Sequence, residues 1–336
     1  MNKLTYTLLC YFIIPYVEAS PLCIQNHPPV SCGGSTPVII SSNIGLNATD
    51  MSIINACSKT LYVPVIRVLS GVTLDLCAHT IDCNPSNNNG ANSANGIQLD
   101  GSNITLLDGT VKGCLYGVVS YANNSSHKIN RVTASGNAMG FDINANNVRT
   151  QNSVANDNND RGFSNSGNSN KYYANIANGN WTGFSNYSQY ASYGGPLALN
   201  AGNVSTSNIT YGFFDAGSIG TKLYKNLANA NRTGGFQIGN INANAVYQAN
   251  TATANADYGI AVYNVSNGSF NQNITTDNNS AGIHNYTNSS NIFTNNFSSG
   301  NNNTLPPTPF DDMIDNASAT WIGNFCGFGT LVSCLP

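Results

Sequence analysis

Asn203-Val-Ser-Thr-Ser-Asn208-Ile-Thr-Tyr-Gly212-Phe213, Asn226-Leu-Ala-Asn-Ala-Asn231-Arg-Thr-Gly-Gly235-Phe236 and Asn250-Thr-Ala-Thr-Ala-Asn255-Ala-Asp-Tyr-Gly259-Ile260 are three versions of one phrase. In each, a second Asn follows the first by five residues, a Gly follows four later, and a large apolar residue comes next. Working outward, the Gly-apolar pair recurs at Gly96-Ile97, Gly117-Val118, Gly140-Phe141, Gly162-Phe163, Gly183-Phe184 and Gly282-Ile283, at intervals of 21 to 24 residues with a single interval of 29. The paired Asn recurs as Asn175/Asn180, Asn273/Asn278 and Asn296/Asn301, while Asn158 keeps the four-residue distance to its Gly and Asn137 and Asn180 miss it by one. A disordered Asn-rich tract does not hold two registers at once.

A period of this length means stacked repeats. Leucine-rich repeats are excluded because no Leu-x-x-Leu-x-Leu occurs. In a solenoid of β-coils each rung lies about 4.8 Å from the last, so equivalent residues form columns along the axis. The column Ile97, Val118, Phe141, Phe163, Phe184, Phe213, Phe236, Ile260 and Ile283 then fills the interior. Buried Asn side chains at the turns bond their neighbours above and below, meeting polar groups that water cannot reach. The long interval from Gly183 to Gly212 implies an outward insertion around Gln189 to Pro196.

The rest of the chain fits an exported all-β protein. Met1 to Ala19 carries Lys3, an apolar run from Leu8 to Tyr16 and then Val17-Glu18-Ala19, the pattern of a signal peptide. That run is too short to span a bilayer and no second one follows, so no membrane span is expected. The product is expected to be secreted, in a periplasmic or extracellular setting. Charged residues make up 8% and the net charge is −3, which leaves no basic stripe for a phosphate backbone, so nucleic acid is not an expected partner. Glutamate is absent after Glu18, and Asn, Gly, Ser and Thr favour turns and short strands over helices.

Beyond Cys10 in the signal segment, Cys23, Cys32, Cys57, Cys77, Cys83, Cys114, Cys326 and Cys334 form an even set placed toward the two ends, as disulfide staples of end caps would be. No Cys-x-x-Cys occurs and His27, His79, His127 and His284 are scattered, so no metal centre is expected. Laying Thr80-Ile81-Asp82-Cys83 over Thr110-Val111-Lys112-Gly113 pairs Cys83 with Cys114 across one rung, within the reach of a disulfide. Cys57 with Cys77 follows partly by elimination, and Cys23 with Cys32 and Cys326 with Cys334 are expected as local pairs.

Gly71-Val-Thr-Leu-Asp-Leu-Cys-Ala-His-Thr-Ile-Asp-Cys83, Asn103-Ile-Thr-Leu-Leu-Asp-Gly-Thr-Val111, the Asn-paired coils and Trp321-Ile-Gly-Asn-Phe-Cys326 together resemble right-handed parallel β-helix proteins of pectin-lyase-like fold. That family includes an exported copper-maturation protein of nitrous oxide reductase and carbohydrate-active relatives. The resemblance covers about residues 60 to 325. It implies a right-handed parallel β-helix of about nine or more coils, with a cap at residues 20–60, the helix at 61–303, and a second cap at 304–336 opened by Pro306-Pro307. Caps are expected because open ends expose unpaired strand edges.

For chemistry, the resemblance implies a polysaccharide lyase, hydrolase or epimerase with acids gathered on one outer face. His-Gly and Arg-x-Lys motifs are absent, and Asp311-Asp312 is the only paired aspartate. A calcium-dependent lyase needs several carboxylates around one cation, so calcium enters only under that reading. No Met or His cluster is present to carry copper. The catalytic candidates are Asp160-Arg161 and Asp142, with Trp181 one coil beyond Asp160 as a stacking platform. The preferred reading of Asp160 and Arg161 is as solvated turn residues, with Trp181 covering the coil edge. His79 reads as a turn residue and His284 as outward-facing.

Four residues after the repeat Gly stand Tyr121, Tyr187, Tyr263 and Tyr286, in an outward column that suits stacking on sugar rings. Tyr also has high strand propensity, which alone explains such a column. Two functions follow: a non-catalytic exported protein presenting a rigid face to carbohydrate or a cell surface, or a polysaccharide-acting enzyme with an atypical site. Asn-x-Ser/Thr triplets, among them Asn47, Asn103, Asn264 and Asn316, are numerous in any Asn-rich chain and decide neither.

Overall fold

The computed structural model describes residues 21–24, 31, 37–56, 60–83, 94–195, 201–216, 219–239, 243–286, 290–301, 312–315, 319–327 and 332–333. The expected signal peptide lies outside them, as do Cys32, Cys57, Cys334, Pro306 and Asn316.

From Pro64 onward each coil contributes one strand to each of three parallel sheets among the described residues. The first sheet has 12 strands in sequence order along the axis, from Val38–Ile40 to Met313–Asp315. The second runs through Lys128–Asn130, Arg149–Gln151, Lys171–Tyr173, Ser192–Tyr193 and Lys222–Tyr224 to Thr320–Ile322, all parallel and in register. The third runs through Val154–Asn156, Ile176–Asn178, Val204–Thr206 and Leu227–Asn229 to Phe325–Cys326. Two long strands, Thr105–Lys112 and Lys128–Ser135, bend through the corner between second and third sheets. Residues of positive φ at that corner, Asp108, Arg131, Asn152, Ala174, Lys225 and Ala249, make the bend.

The core is built in columns. The nine residues from Ile97 to Ile283 form one stack, each 2% exposed or less. Within it the rings of Phe141, Phe163, Phe184, Phe213 and Phe236 lie face to face at 4.7 to 4.8 Å, the rung spacing itself. A second ladder, Tyr247, Phe270, Phe293 and Trp321, fills the second sheet. The third sheet presents small residues, Ala134, Ala155, Ala177, Ala228 and Ala252, which leave room for the rings opposite.

Two columns of buried Asn hold the corners. Asn175, Asn203, Asn226, Asn250, Asn273, Asn296 and Asn324 form one; Asn137, Asn158, Asn180, Asn208, Asn231, Asn255, Asn278 and Asn301 form the other. In each, Oδ1 accepts both the backbone N–H and the side-chain amide of the Asn one coil earlier, as Asn203 does from Asn175 at 3.0 Å for both. The amide also donates back to a core carbonyl, as Asn203 does to Tyr172. Asn137 and Asn180, one residue out of register in sequence, sit in the same ladder because their turn to the Gly is one residue shorter. The repeat Gly lies where a Cβ would meet the next coil's carbonyl, 2.5 Å away at Gly140.

Several expectations are corrected. The solenoid begins before residue 61, since Val38–Ile40 and Ile44–Gly45 already pair as rungs with Ile66–Val68 and Leu74–Asp75. It also continues past residue 303: Met313–Asp315, Thr320–Ile322 and Phe325–Cys326 add rungs to all three sheets before Val332–Ser333 pairs antiparallel at the edge. These strands are two or three residues long and lack the Gly-apolar pair, so the repeat does not announce them. The N-terminal capping element is a helix, Ala48–Ala56, started by Asn47, whose Oδ1 accepts the N–H groups of Thr49 and Asp50 while Asp50 returns a bond to the Asn47 N–H. Its Met51 and Ile54 are buried.

Cys83 pairs with Cys114 across one rung, Cα atoms 4.9 Å apart, as the alignment predicts. Cys23, however, pairs with Cys77, which overturns both Cys23 with Cys32 and Cys57 with Cys77. Cys77 stands at a positive-φ corner, and the segment Pro21–Ile24 crosses the open end so closely that a Cβ on Gly45 would strike the Leu22 backbone. Cys326 is disulfide-bonded, and its expected partner Cys334 lies outside the described residues. The insertion also falls later than expected. Ser192–Tyr193 keeps its place between Lys171–Tyr172 and Lys222–Leu223, so the extra length enters between Tyr193 and Val204.

Candidate carbohydrate-binding face

Strand alternation gives the first sheet an outward column of Val119, Asp142, Ser164, Ser185, Phe214, Gln237, Ala261 and His284, in continuous register. Val119, Ser164, Ser185 and Ala261 point outward yet are buried. The side chains on either side rise above them. One flank carries Tyr116, Met139, Arg161, Tyr211 and Tyr258, each just before its repeat Gly, and the other carries Tyr121, Tyr187, Tyr263 and Tyr286. The result is a shallow trough along the axis.

The C-terminal half of this trough is aromatic. Tyr187 meets Phe214 at 5.9 Å, Phe214 meets Tyr211 at 5.8 Å, and Tyr211 meets Tyr258 at 6.4 Å. The Tyr258 hydroxyl donates to Gln237 Oε1 at 2.9 Å. Tyr263 and Tyr286 stack at 4.3 Å with 9° between planes, and the His284 ring lies on Tyr286 at 3.5 Å. Burial raises the Tyr263 hydroxyl above its ordinary pKa, assisted by its hydrogen bond to Tyr286. Burial lowers His284, against the opposing pull of Asp257. The imidazole and the two phenol rings together offer ring faces edged by donors and acceptors.

The N-terminal half holds the catalytic candidates. Asp142 lies on the floor, and burial raises its carboxyl above the usual range against the hydrogen bonds of Asn144 and Ser164 and the charge of Arg161. Arg161 is 3.8 Å from Asp160 and lies over the Tyr187 ring at 5.0 Å. Trp181 follows Asp160 at the trough's edge, half exposed. Tyr116 and Tyr121 both feel the Asp142 charge, which together with burial raises their hydroxyls. Asp100 is committed to an ion pair with Arg67.

The four expected tyrosines therefore do not form one surface. Tyr263 and Tyr286 form one cluster, Tyr187 bridges Arg161 and Phe214, and Tyr121 stands apart beside Asp142 and Asp100. Tyr116, Tyr211, Phe214 and Tyr258 were missed, because reading only one outward position per coil overlooks the column before the Gly and the column two after it. Among the described residues one group brings candidate ligand atoms together, Cys23, Asp75 and Cys77, and its two sulfurs are joined as a disulfide. No free thiolate is offered there.

No protein-family model matches the sequence, and neither does any curated protein. Solved structures do match its fold. The periplasmic alginate epimerase AlgG superposes with a TM-score of 0.53 at 13% identity over 85% of each chain. The A-module of mannuronan C-5 epimerase AlgE4 from Azotobacter vinelandii gives 0.51 at 15% identity, covering 87% of this chain and 86% of its own. The Dettilon tailspike protein gives 0.51 at 12% identity, covering 87% and 62%. With three parallel sheets stacked coil on coil and these neighbours, the chain is a right-handed parallel β-helix.

Proposed function

We propose that this chain is an exported glycan-binding β-helix that holds carbohydrate in the trough of its first sheet without transforming it. The observation that carries this reading is the parallel Tyr263–Tyr286 pair capped by His284, on the outer surface of a rigid sheet. Such a pair presents a fixed apolar platform whose ordering cost has been met on folding, so little entropy is lost when a sugar ring docks. Disulfides at Cys23–Cys77 and Cys83–Cys114 support an oxidising compartment outside the cytoplasm. The neighbours named as alginate and mannuronan epimerases give carbohydrate as the ligand class this scaffold carries.

The test is affinity electrophoresis through gels containing neutral or acidic polysaccharides. A Tyr263→Ala/Tyr286→Ala variant should lose its retardation while keeping its melting temperature, because neither ring belongs to the inner columns. Unchanged retardation of that variant removes the tyrosine platform.

A second reading is favoured by one observation, the raised Asp142 carboxyl beside Tyr116, Tyr121 and Arg161. A carboxyl shifted toward neutrality in a cleft is what proton transfer to or from a sugar requires. Under it the chain is a polysaccharide lyase, hydrolase or epimerase, with calcium as the added cation if it is a lyase. An activity screen with and without calcium separates the two. Unsaturated or reducing ends that vanish in Asp142→Asn would establish the second reading and sink the first.

A further inference from the structure

The second sheet faces solvent away from the trough. Its first outward column reads Thr105, Lys128, Arg149, Lys171, Ser192, Lys222, Val246, Ser269, Ile292 and Thr320, in unbroken register. Lys128, Arg149 and Lys171 stand on three successive coils and Lys222 two coils further, all exposed. The residues are about 21 apart in sequence, yet at about 4.8 Å per rung the stripe spans about 19 Å of axis. The adjacent outward column carries Asn130, Gln151, Tyr173 and Tyr224. Neither column holds a carboxylate from Thr105 to Thr320.

Four cations elsewhere among the described residues stand differently. Arg67, Lys112 and Arg131 are each paired with an aspartate, Asp100, Asp82 and Asp108, and Arg161 lies beside Asp160. Arg149 instead lies over the Tyr173 ring at 5.3 Å, and these two with Asn147, Val148, Ser169 and Lys171 line a shallow hollow. Like charges on neighbouring rungs repel, and that repulsion is relieved when an anion lies along them.

We infer that this stripe is a second binding site, for a linear glycan bearing one anionic group per sugar, lying along the solenoid axis. The rung spacing sets the period of positive charge at about 4.8 Å. A pyranose linked through opposite corners advances about one such rung, so successive carboxylates or sulfates meet successive cations. Tyr173, Gln151 and Asn130 then face the sugar rings and hydroxyls from the neighbouring column. Duplex nucleic acid carries a charge about every 1.7 Å, nearly three times the density of the stripe, and is repelled by a chain of net charge −3. The inference is independent of the trough, since it uses a different sheet and different chemistry.

The test measures binding of the full chain to polygalacturonate, to dextran sulfate and to unmodified dextran across a salt series. The stripe variant is Lys128→Gln/Arg149→Gln/Lys171→Gln; the control is Lys112→Gln/Arg232→Gln, cations off the stripe. The stripe variant should lose roughly tenfold or more of its affinity for the anionic polymers, with a shallower salt dependence, while the control changes little. Preference between polygalacturonate and dextran sulfate assigns carboxylate or sulfate as the anion. Equal loss in both variants would reduce the effect to net charge and overturn the site, as would equal affinity of wild type for unmodified dextran. Displacement of polygalacturonate by single-stranded DNA at matched charge would overturn the assignment to a glycan. The Tyr263→Ala/Tyr286→Ala variant, run alongside, keeps its stripe, so failure here and failure of the trough are read separately.

Discussion

Replacing Asn231 by Ala should cost more than replacing any exposed residue of its coil, and the size follows from the ladder. Asn231 Oδ1 accepts the Asn208 N–H at 3.1 Å and the Asn208 side-chain amide at 2.9 Å, and its own amide donates to Asn255 Oδ1 at 2.9 Å. In the variant the Asn208 N–H loses its acceptor in the interior, the Asn208 amide loses one partner, and Asn255 Oδ1 loses one donor. A buried polar group left unpaired costs about 1 to 3 kcal/mol. One stranded N–H and two weakened groups therefore add up to about 3 to 5 kcal/mol, comparable to truncating a core aromatic. Asn279, exposed and one residue beyond the ladder's Asn278, gives the matched control, Asn279→Ala, expected to change stability by less than about 0.5 kcal/mol. Urea unfolding followed by circular dichroism reads both. If Asn231→Ala unfolds within about 0.5 kcal/mol of the control, the ladder does not hold the coils and its bonds are replaced at no cost by water.

Phe163→Ala removes the second ring of the five-ring stack, which has a ring on either face, and should destabilise by about 3 to 5 kcal/mol in the same assay; an effect under about 1 kcal/mol would contradict the stacked interior. His127 is 1% exposed and burial holds its pKa at about 4 against an unfolded value of about 6.5. The unfolded chain thus binds the extra proton first, so stability should fall as pH drops from about 6.5 to about 4, by up to about 3 kcal/mol, and stay flat above. His127→Gln should flatten that slope in pH-dependent melting, and an unchanged slope would clear His127. Peptide mapping without reduction should recover Cys23 joined to Cys77 and Cys83 joined to Cys114; a Cys23–Cys32 peptide would contradict the crossing of the N-terminal segment over the open end.

What lay inside the solenoid was legible because identical demands repeat. Every coil must place an apolar residue after its Gly and an amide at its corner, so the sequence shows Phe213, Phe236 and Asn208, Asn231 at one period. The Cys83–Cys114 bridge was legible for the same reason, as both residues belong to neighbouring coils whose strands align. Cys23–Cys77 was not, because it depends on the path of a non-repeating segment across the end of the stack, which no register encodes. The terminal rung at Met313–Asp315 was not legible because no Gly-apolar pair opens it, whereas Trp321 and Asn324 just beyond continue the ring and amide columns.

The outer faces obey the opposite logic. A residue pointing to solvent is free to differ from coil to coil, so function written there is non-periodic in residue type but periodic in position. Tyr211, Phe214 and Tyr258 join one aromatic surface although they come from two offsets and two coils. Lys128, Arg149 and Lys171 vanish in a chain only 8% charged, where a count of charges gives no basic character. Folding the count onto the register changes the result: Lys128, Arg149, Lys171 and Lys222 share one outward column of the second sheet, and that sheet's outward columns hold no acid from Thr105 to Thr320. Charge density on a solenoid is set per rung rather than per chain. A protein of net charge −3 can thereby present a locally cationic edge about 19 Å long on one side and an aromatic trough on another.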